Sequence, residues 1–285
     1  MAQFTQHSDQ WTPPAIELCV SENTSRQIVA LLSALPVEAF HRSATADASP
    51  AWQLSQIDIE APQDGIGTLA LTRPDGVQLS ISFTSGKARH RHNEAGHGAR
   101  QLQRALGITS SNHRQSLRII DGTGGLGQDA WALASLGCSV TVYESHAIVH
   151  ALLCNALQRA ACQPPFQEQA ERIELIHDDA SEVFASNPML RHVHAIYLDP
   201  MYPPSRKSAM TKKGMQFLHT LTGPAQAGQS RRLLLAALST GVPRVVVKRP
   251  KGAPALEGTE QWAGQLTHSH NPNTRYDIYH QSRKF

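Results

Sequence analysis

The chain has 285 residues, 40% of them hydrophobic, which is enough to bury a sizeable core and predicts one large unit with an appendage or two smaller ones. A net charge of +3 does not by itself argue for nucleic acid, no apolar run approaches the roughly 18 residues of a membrane span, and the N-terminus lacks a charged region followed by an apolar one. Cys19, Cys138, Cys154 and Cys162 make no C-x-x-C pair and no zinc spacing, so they read as reduced thiols in a cytoplasmic protein for which no metal is expected.

Residues 1–90 read as a small α+β domain. A strand is predicted at 16–20 and a helix at 24–35, and alternating runs follow at 54–59, 68–71 and 77–83. Asp64-Gly65 and Asp75-Gly76 supply turn signals between them, which predicts a meander. Between residues 84 and 98 the sequence becomes basic and glycine-containing, as a linker or hinge would. From Lys87 to Arg118 there are seven Lys or Arg against one acid, Glu94. A surface that is merely soluble mixes its signs, so Arg89, Arg91 and Arg100 are candidates for phosphate contacts, with a solvated face as the alternative.

Residues 91–285 read as a Rossmann-like α/β domain with a mostly parallel sheet. Strands are predicted at 117–121, 140–144, 173–177, 195–199 and 244–248, alternating with helices at 128–136, 146–161 and 230–238. Two runs at 265–268 and 274–280, separated by Asn271-Pro272-Asn273, predict a closing antiparallel hairpin. Asp121, Glu144, Asp179 and Asp199 fall at or just past strand ends, where such sheets bind ligands; Asp178 reads instead as a surface turn or a helix N-cap.

Two motifs carry chemistry. The first is Asp121-Gly122-Thr123-Gly124-Gly125-Leu126-Gly127, a strand-to-helix turn in which Gly122, Gly124 and Gly127 match the dinucleotide fingerprint, with Glu144 at the ribose-binding distance. Taken alone this reads as NAD. Asp121 opposes it, because a carboxylate at the strand tip repels a pyrophosphate and attracts a cation. S-adenosylmethionine has an ammonium, a sulfonium and no phosphate, so it is the cofactor the loop fits better. The second motif, Asp199-Pro200-Met201-Tyr202, offers a carboxylate to accept the hydrogens of an exocyclic amine, a stiff proline and a ring to stack on a base. The same loop would serve adenine N6 in DNA, and a simple strand-ending turn is the plainest alternative.

The glycine loop continued through Gln128-Asp129-Ala130 and Leu133-Ala134-Ser135-Leu136-Gly137-Cys138, together with residues 196–203, Lys207-Ser208-Ala209, Lys212-Lys213, Val245-Val246-Val247-Lys248-Arg249-Pro250 and Arg275-Tyr276-Asp277-Ile278-Tyr279, resembles the RsmJ-type 16S ribosomal RNA guanine-N2 methyltransferases. The likeness runs from about residue 80 to 279. It implies a class I S-adenosylmethionine-dependent methyltransferase fold and methylation of one guanine N2 in 16S ribosomal RNA or the small ribosomal subunit. By position it puts cofactor contacts on Gln128, Asp129, Glu144, Ser145, Asp179, Ala180 and Asp199, and adds Lys207, Lys212 and Lys213 as substrate-loop cations. Asp199, Pro200 and Tyr202 are the expected catalytic residues. The chain departs from the family's usual basic residues at Gln128 and Ser145, and from its Asn-Pro at His146-Ala147, which makes the cofactor edge less cationic.

Overall fold

Two sheets organise the chain in the computed structural model, which describes residues 13–21, 23–36, 51–57, 65–85, 96–109, 117–187, 190, 192–201, 213–224, 228–254, 256, 258–270 and 274–281. The smaller sheet contains β1 (Ile16–Cys19), β2 (Trp52–Gln56), β3 (Leu69–Thr72) and β4 (Gln78–Leu79), in that spatial order. β2, β3 and β4 form the expected antiparallel meander, while β1 adds to β2 in parallel. β4 is shorter than the run at 77–83 predicts. Ile81 and Phe83 leave the sheet and are buried in the core. Helix α1 (Arg26–Ser33) is capped by Ser25, whose Oγ accepts the Ile28 N–H and donates to the Ile66 carbonyl, and it buries Ile28 and Leu32 one turn apart.

The larger sheet follows helix α2 (Gly96–Ala105) and comprises β5 (Arg118–Asp121), β6 (Ser139–Tyr143), β7 (Ile173–Ile176), β8 (Ala195–Leu198), β9 (Arg244–Pro250), β10 (Leu266–His270) and β11 (Thr274–His280). Its order is β10-β11-β9-β8-β5-β6-β7, with β5 to β9 parallel and the hairpin antiparallel at one edge. Chain direction across the sheet reverses between β5 and β8, and the crevice outside a parallel sheet opens at such a switch point. Ile119, Tyr197 and Val246 face one apolar cluster, and Ile120, Ile196, Leu198, Val245 and Val247 face the other. The strands are therefore apolar on both faces, which is why they read as continuous β-branched runs.

Helices α3 (Gln128–Ser135), α4 (Ala147–Ala161) and α8 (Gln229–Ser239) lie within a residue of their predicted spans. Besides α2, three more were not predicted: α5 (Gln167–Glu171), α6 (Ala180–Ser186) and α7 (Lys213–Thr222). The expected hinge at 84–98 lies mostly outside the described residues, and its last residues form the first turn of α2 instead. Leu102 and Ala105 bury one side of that helix while Arg100 and Arg104 stay exposed. Among the described residues no helix is long and apolar enough to cross a membrane.

One apolar cluster spans both sheets, taking in Ile28, Leu54 and Leu71 as well as Ile119 and Val246. Two polar and aromatic contacts fix the join. Asn155 of α4, 1% exposed, accepts the Leu69 N–H at 3.0 Å and donates to the Gly67 carbonyl at 3.0 Å. Phe83 stacks on Trp131 of α3 with ring centroids 4.4 Å apart.

Candidate active site

A cavity of about 550 Å³ opens over the C-terminal ends of β5, β6 and β8. Its floor is the glycine loop after β5. A Cβ at Gly122 would lie 2.7 Å from Leu198 Cδ2 and one at Gly124 2.9 Å from Val142 Cγ1, so a side chain at either position would have to displace a buried neighbour. Gly127, with φ +68°, turns the chain into α3 where a Cβ would meet Leu153 Cδ1 at 2.5 Å. These glycines let the loop settle between neighbouring strands and helix. At Gly125 a Cβ would meet only the Thr123 carbonyl oxygen, at an ordinary 3.8 Å, and it is the φ of +51° that favours glycine there.

Five of the predicted acids line this cavity: Asp121, Asp129, Glu144, Asp179 and Asp199. Asp121 is 2% exposed, and its Oδ1 accepts the Thr123 N–H at 3.0 Å and the Thr123 hydroxyl at 3.1 Å. Burial, with Asp129 and Asp199 adding to it against the Thr123 bonds, pushes its pKa up to about 7. Thr123 Oγ1 also accepts the Asp199 N–H at 2.7 Å, so one hydroxyl joins the two strand ends across the switch point. Glu144 splits its oxygens between the Gly125 N–H and the His146 N–H, each at 2.7 Å, which pins the loop after β5 to the loop after β6. Burial outweighs those bonds and raises its pKa.

Asp179 is the N-cap of α6, accepting the Ser181 N–H at 2.8 Å; of the two readings of Asp178 the surface turn holds, since it sits exposed in the bend before the helix and does not cap it. The extended backbone at Asp179 aims its side chain back over the first turn, which leaves Asp178 outside. Arg232 of α8 donates to Asp179 Oδ2 at 3.1 Å and to Ser181 Oγ, tying α6 to α8 at this end of the cavity.

At the other end sits a group that the sequence reading missed. Lys248, on β9, donates to Asp199 Oδ2 at 2.7 Å and to Asp129 Oδ2 at 3.0 Å, and Asp129 Oδ2 also accepts the Tyr197 hydroxyl at 2.6 Å. Burial opposes the charge on Lys248, but the two carboxylates outweigh it and hold its pKa above the usual lysine value. Asp199 is raised by burial, countered by Lys248 and reinforced by Asp129. The signal for Lys248 was present: it ends the β-branched run Val245-Val246-Val247, at the same sheet edge as Asp121 and Asp199. Tyr197 and Thr123 gave no such signal, because a tyrosine inside an apolar strand and a threonine between glycines both read as filler.

The remaining predicted residues are dispersed. Gln128 and Ser145 are exposed on the cavity rim, and Ala180 and Pro200 are buried in its wall. Arg100 is exposed on α2, away from the lining. Tyr202, Arg89, Arg91, Lys207 and Lys212 lie outside the described residues, and Lys213 starts α7 with its side chain outside them.

The donor set decides which cofactor fits. Among the described residues, Asp121, Asp129, Glu144, Asp178, Asp179 and Asp199 line the cavity against one ammonium, Lys248. Such a cavity attracts a ligand bearing an ammonium and a sulfonium and repels a pyrophosphate. Fold and site thus define a class I S-adenosylmethionine-dependent methyltransferase.

Comparison with known proteins narrows the class. The family model described as putative SAM-dependent methyltransferase matches residues 52–281. The chain is 45% identical, over 74% of its length and 73% of the relative's, to ribosomal RNA small subunit methyltransferase J of Hydrogenovibrio crunogenus. It is 34% identical, over 87% of its length and 92% of the relative's, to the protein of that name in Ectopseudomonas mendocina. A crystal structure of a SAM-dependent methyltransferase from Neisseria gonorrhoeae superposes with a TM-score of 0.63 at 29% identity, covering 94% of this chain and 96% of that one. The chain belongs to the ribosomal RNA small subunit methyltransferase J family.

Proposed function

We propose that this enzyme methylates the exocyclic N2 amine of one guanine in 16S ribosomal RNA, in the cytoplasm, meeting it as free RNA or in the small ribosomal subunit. The observation that carries the reading is the Asp199 carboxylate at the end of β8, held through Oδ2 beside the glycine loop and followed by the buried Pro200. An exocyclic amine is a poor nucleophile because its lone pair is delocalised into the ring. A carboxylate that accepts its hydrogens draws the nitrogen towards tetrahedral geometry and frees that pair. When bound, S-adenosylmethionine supplies the methyl: the N–C bond forms as the S–C bond breaks towards sulfur, and the amine gives up one proton. Asp199 Oδ1 is the acceptor for that proton, and Pro200 keeps the carboxylate aimed.

Asp121, Gly122, Gly124, Gln128, Asp129, Glu144, Ser145, Asp179 and Ala180 are read as the cofactor's surroundings, consistent with their places around the cavity. Tyr202 is read as the platform on which the extruded base stacks. Arg89, Arg91, Arg100, Lys207, Lys212 and Lys213 are read as phosphate contacts. Residues 1–90 are proposed as a small domain docked on the catalytic domain of residues 91–285, through Asn155 and the Phe83–Trp131 stack. The relatives' names support ribosomal RNA as the substrate class.

Mass mapping of modified nucleosides in 16S RNA from cells lacking the protein tests the reading, with one N2-methylguanine expected to disappear. Tritium transfer from labelled cofactor to DNA adenine but not to ribosomal RNA would overturn it in favour of a DNA amino-methyltransferase.

A further inference from the structure

We propose that Lys248 is a positioning residue for methyl transfer: its ammonium, bracketed by Asp129 and Asp199, occupies Asp199 Oδ2 and leaves Oδ1 as the one oxygen free to take the substrate amine. The proposal rests on the reading of Asp199 as amine acceptor.

The geometry is specific. Asp199 follows β8 and Lys248 lies on the neighbouring β9, in parallel register with Leu198 opposite Val247, so the two side chains emerge at the same height of the sheet. Asp129 arrives from α3 and shares its Oδ2 between Lys248 and the Tyr197 hydroxyl. Tyr276 on β11 stands opposite Lys248 in the antiparallel pair and closes the other flank. Asp121 faces the cluster from β5 and reaches Asp199 through Thr123. Among the described residues, Asp199 Oδ2 has Lys248 as its donor and Oδ1 accepts from no protein group. A carboxylate free to rotate presents either oxygen; one held at Oδ2 presents only Oδ1.

The charges make the same point. Asp129 and Asp199 approach a single ammonium from two sides, so without it two half-buried carboxylates face each other with no cation between them. Such a pair shares a proton, and Asp199 then ionises only at higher pH. Lys248 therefore does two things for the reaction: it fixes the direction of the acceptor oxygen, and it keeps that acceptor ionised at neutral pH. It touches no reacting atom itself.

The test compares Lys248→Met and Lys248→Arg with the parent in single-turnover methylation of 16S RNA at saturating cofactor, from pH 5.5 to 9.5. In Lys248→Met the rising limb should move up by about one pH unit or more, so the rate falls by up to about tenfold on the acid side of the parental midpoint and recovers towards pH 9. Lys248→Arg, which restores a cation, should bring the limb back to the parental position. Carbon-13 titration of the Asp199 carboxyl in the free protein, assigned with Asp199→Asn, should show the same upward displacement without any turnover. If Lys248→Met does not fold, the double variant Asp129→Asn with Lys248→Met removes the uncompensated acid, and a smaller displacement of Asp199 in the same direction, from loss of the Lys248 ammonium alone, is expected.

A rate lowered by the same factor at every pH, or an Asp199 titration that stays at its parental position, overturns the proposal and leaves Lys248 a structural residue. Asp199→Asn separates the two levels of the argument. If it is slow while Lys248→Met keeps the parental profile, the positioning role alone falls. If Asp199→Asn keeps the parental rate, the amine-acceptor reading falls and takes this inference with it.

Discussion

Replacing Asp121 by Asn should make the cofactor-free protein more stable at neutral and alkaline pH while weakening cofactor binding. Asp121 is buried at the tip of β5 with Asp129 and Asp199 near it, and its pKa is about 7 against 3.8 for the free side chain. A carboxyl whose folded pKa is raised binds more protons in the native state than in the unfolded one, so stability falls as pH rises between those two values and levels off above the higher one. At 1.36 kcal/mol per pKa unit the full penalty is about 4 kcal/mol, of which about 2.5 kcal/mol accrues between pH 5 and pH 8. Asn keeps an acceptor for the Thr123 N–H and carries no charge, so Asp121→Asn should gain on the parent by that amount across this pH range in urea titrations. A ligand ammonium at the same place favours the ionised form. S-adenosylhomocysteine should therefore bind the parent more tightly as pH rises towards 7, releasing a proton seen as a buffer-dependent calorimetric enthalpy. Asp121→Asn should bind it more weakly, with no such dependence. Equal pH–stability curves for parent and variant would refute the argument, because the acid would then be no more strained in the folded chain than in the unfolded one.

Asn155→Leu should cost about 2–5 kcal/mol in chemical denaturation, because it removes the side-chain acceptor of the buried Leu69 N–H and a donor to the Gly67 carbonyl and puts an apolar group in their place. A loss under about 1 kcal/mol would mean that the small sheet is not held by this side chain. Gly127→Ala combines a φ of +68° with a Cβ 2.5 Å from Leu153 and 3.1 Å from Phe83. It should lower stability by about 1–3 kcal/mol and also weaken binding of S-adenosylhomocysteine measured by calorimetry. Arg100→Glu should weaken binding to 16S RNA and reduce the slope of log K against log salt by about one, without changing cofactor affinity. An unmoved slope would make Arg100 a solvated surface residue.

The parts of this site that were legible in the sequence are those set by a local rule. A β-branched run closed by an acid marks a parallel strand reaching the ligand edge, and Asp121, Glu144 and Asp199 all fall where that rule puts them. Asp179 lines the cavity, and the choice between surface turn and cap for Asp178 stayed open in the sequence because Asp178 and Asp179 are adjacent acids and only the backbone direction separates them. Helices α5 and α6 are too short for a 3.6-residue period to register, and both are held by packing rather than by propensity. Helix α2 was hidden by a basic stretch whose apolar positions, Leu102, Ala105 and Leu106, matter only once the β10–β11 hairpin stands beside them. Lys248 and Tyr197 lie 49 and 2 residues from Asp199, and their meeting depends on strand order, which no local pattern encodes.

The glycine loop shows why a motif needs the chemistry around it. Gly122-x-Gly124-x-x-Gly127 satisfies the dinucleotide fingerprint, and the same backbone economy explains it here: each glycine clears a neighbouring strand or helix side chain and brings the loop close under the cavity. The fingerprint reports that closeness and nothing of the ligand's charge. What selects the ligand is the ring of side chains above the loop, where among the described residues carboxylates outnumber the one ammonium and that ammonium is already engaged by two of them. A dianionic pyrophosphate would have to displace Asp121 and Glu144 from around the loop, whereas a cationic amino acid moiety lowers the cost of keeping Asp121 ionised. Cofactor identity in this fold is therefore set by the acids on the strand ends, and the excess negative charge they bring together is the source of the site's preference for a cation.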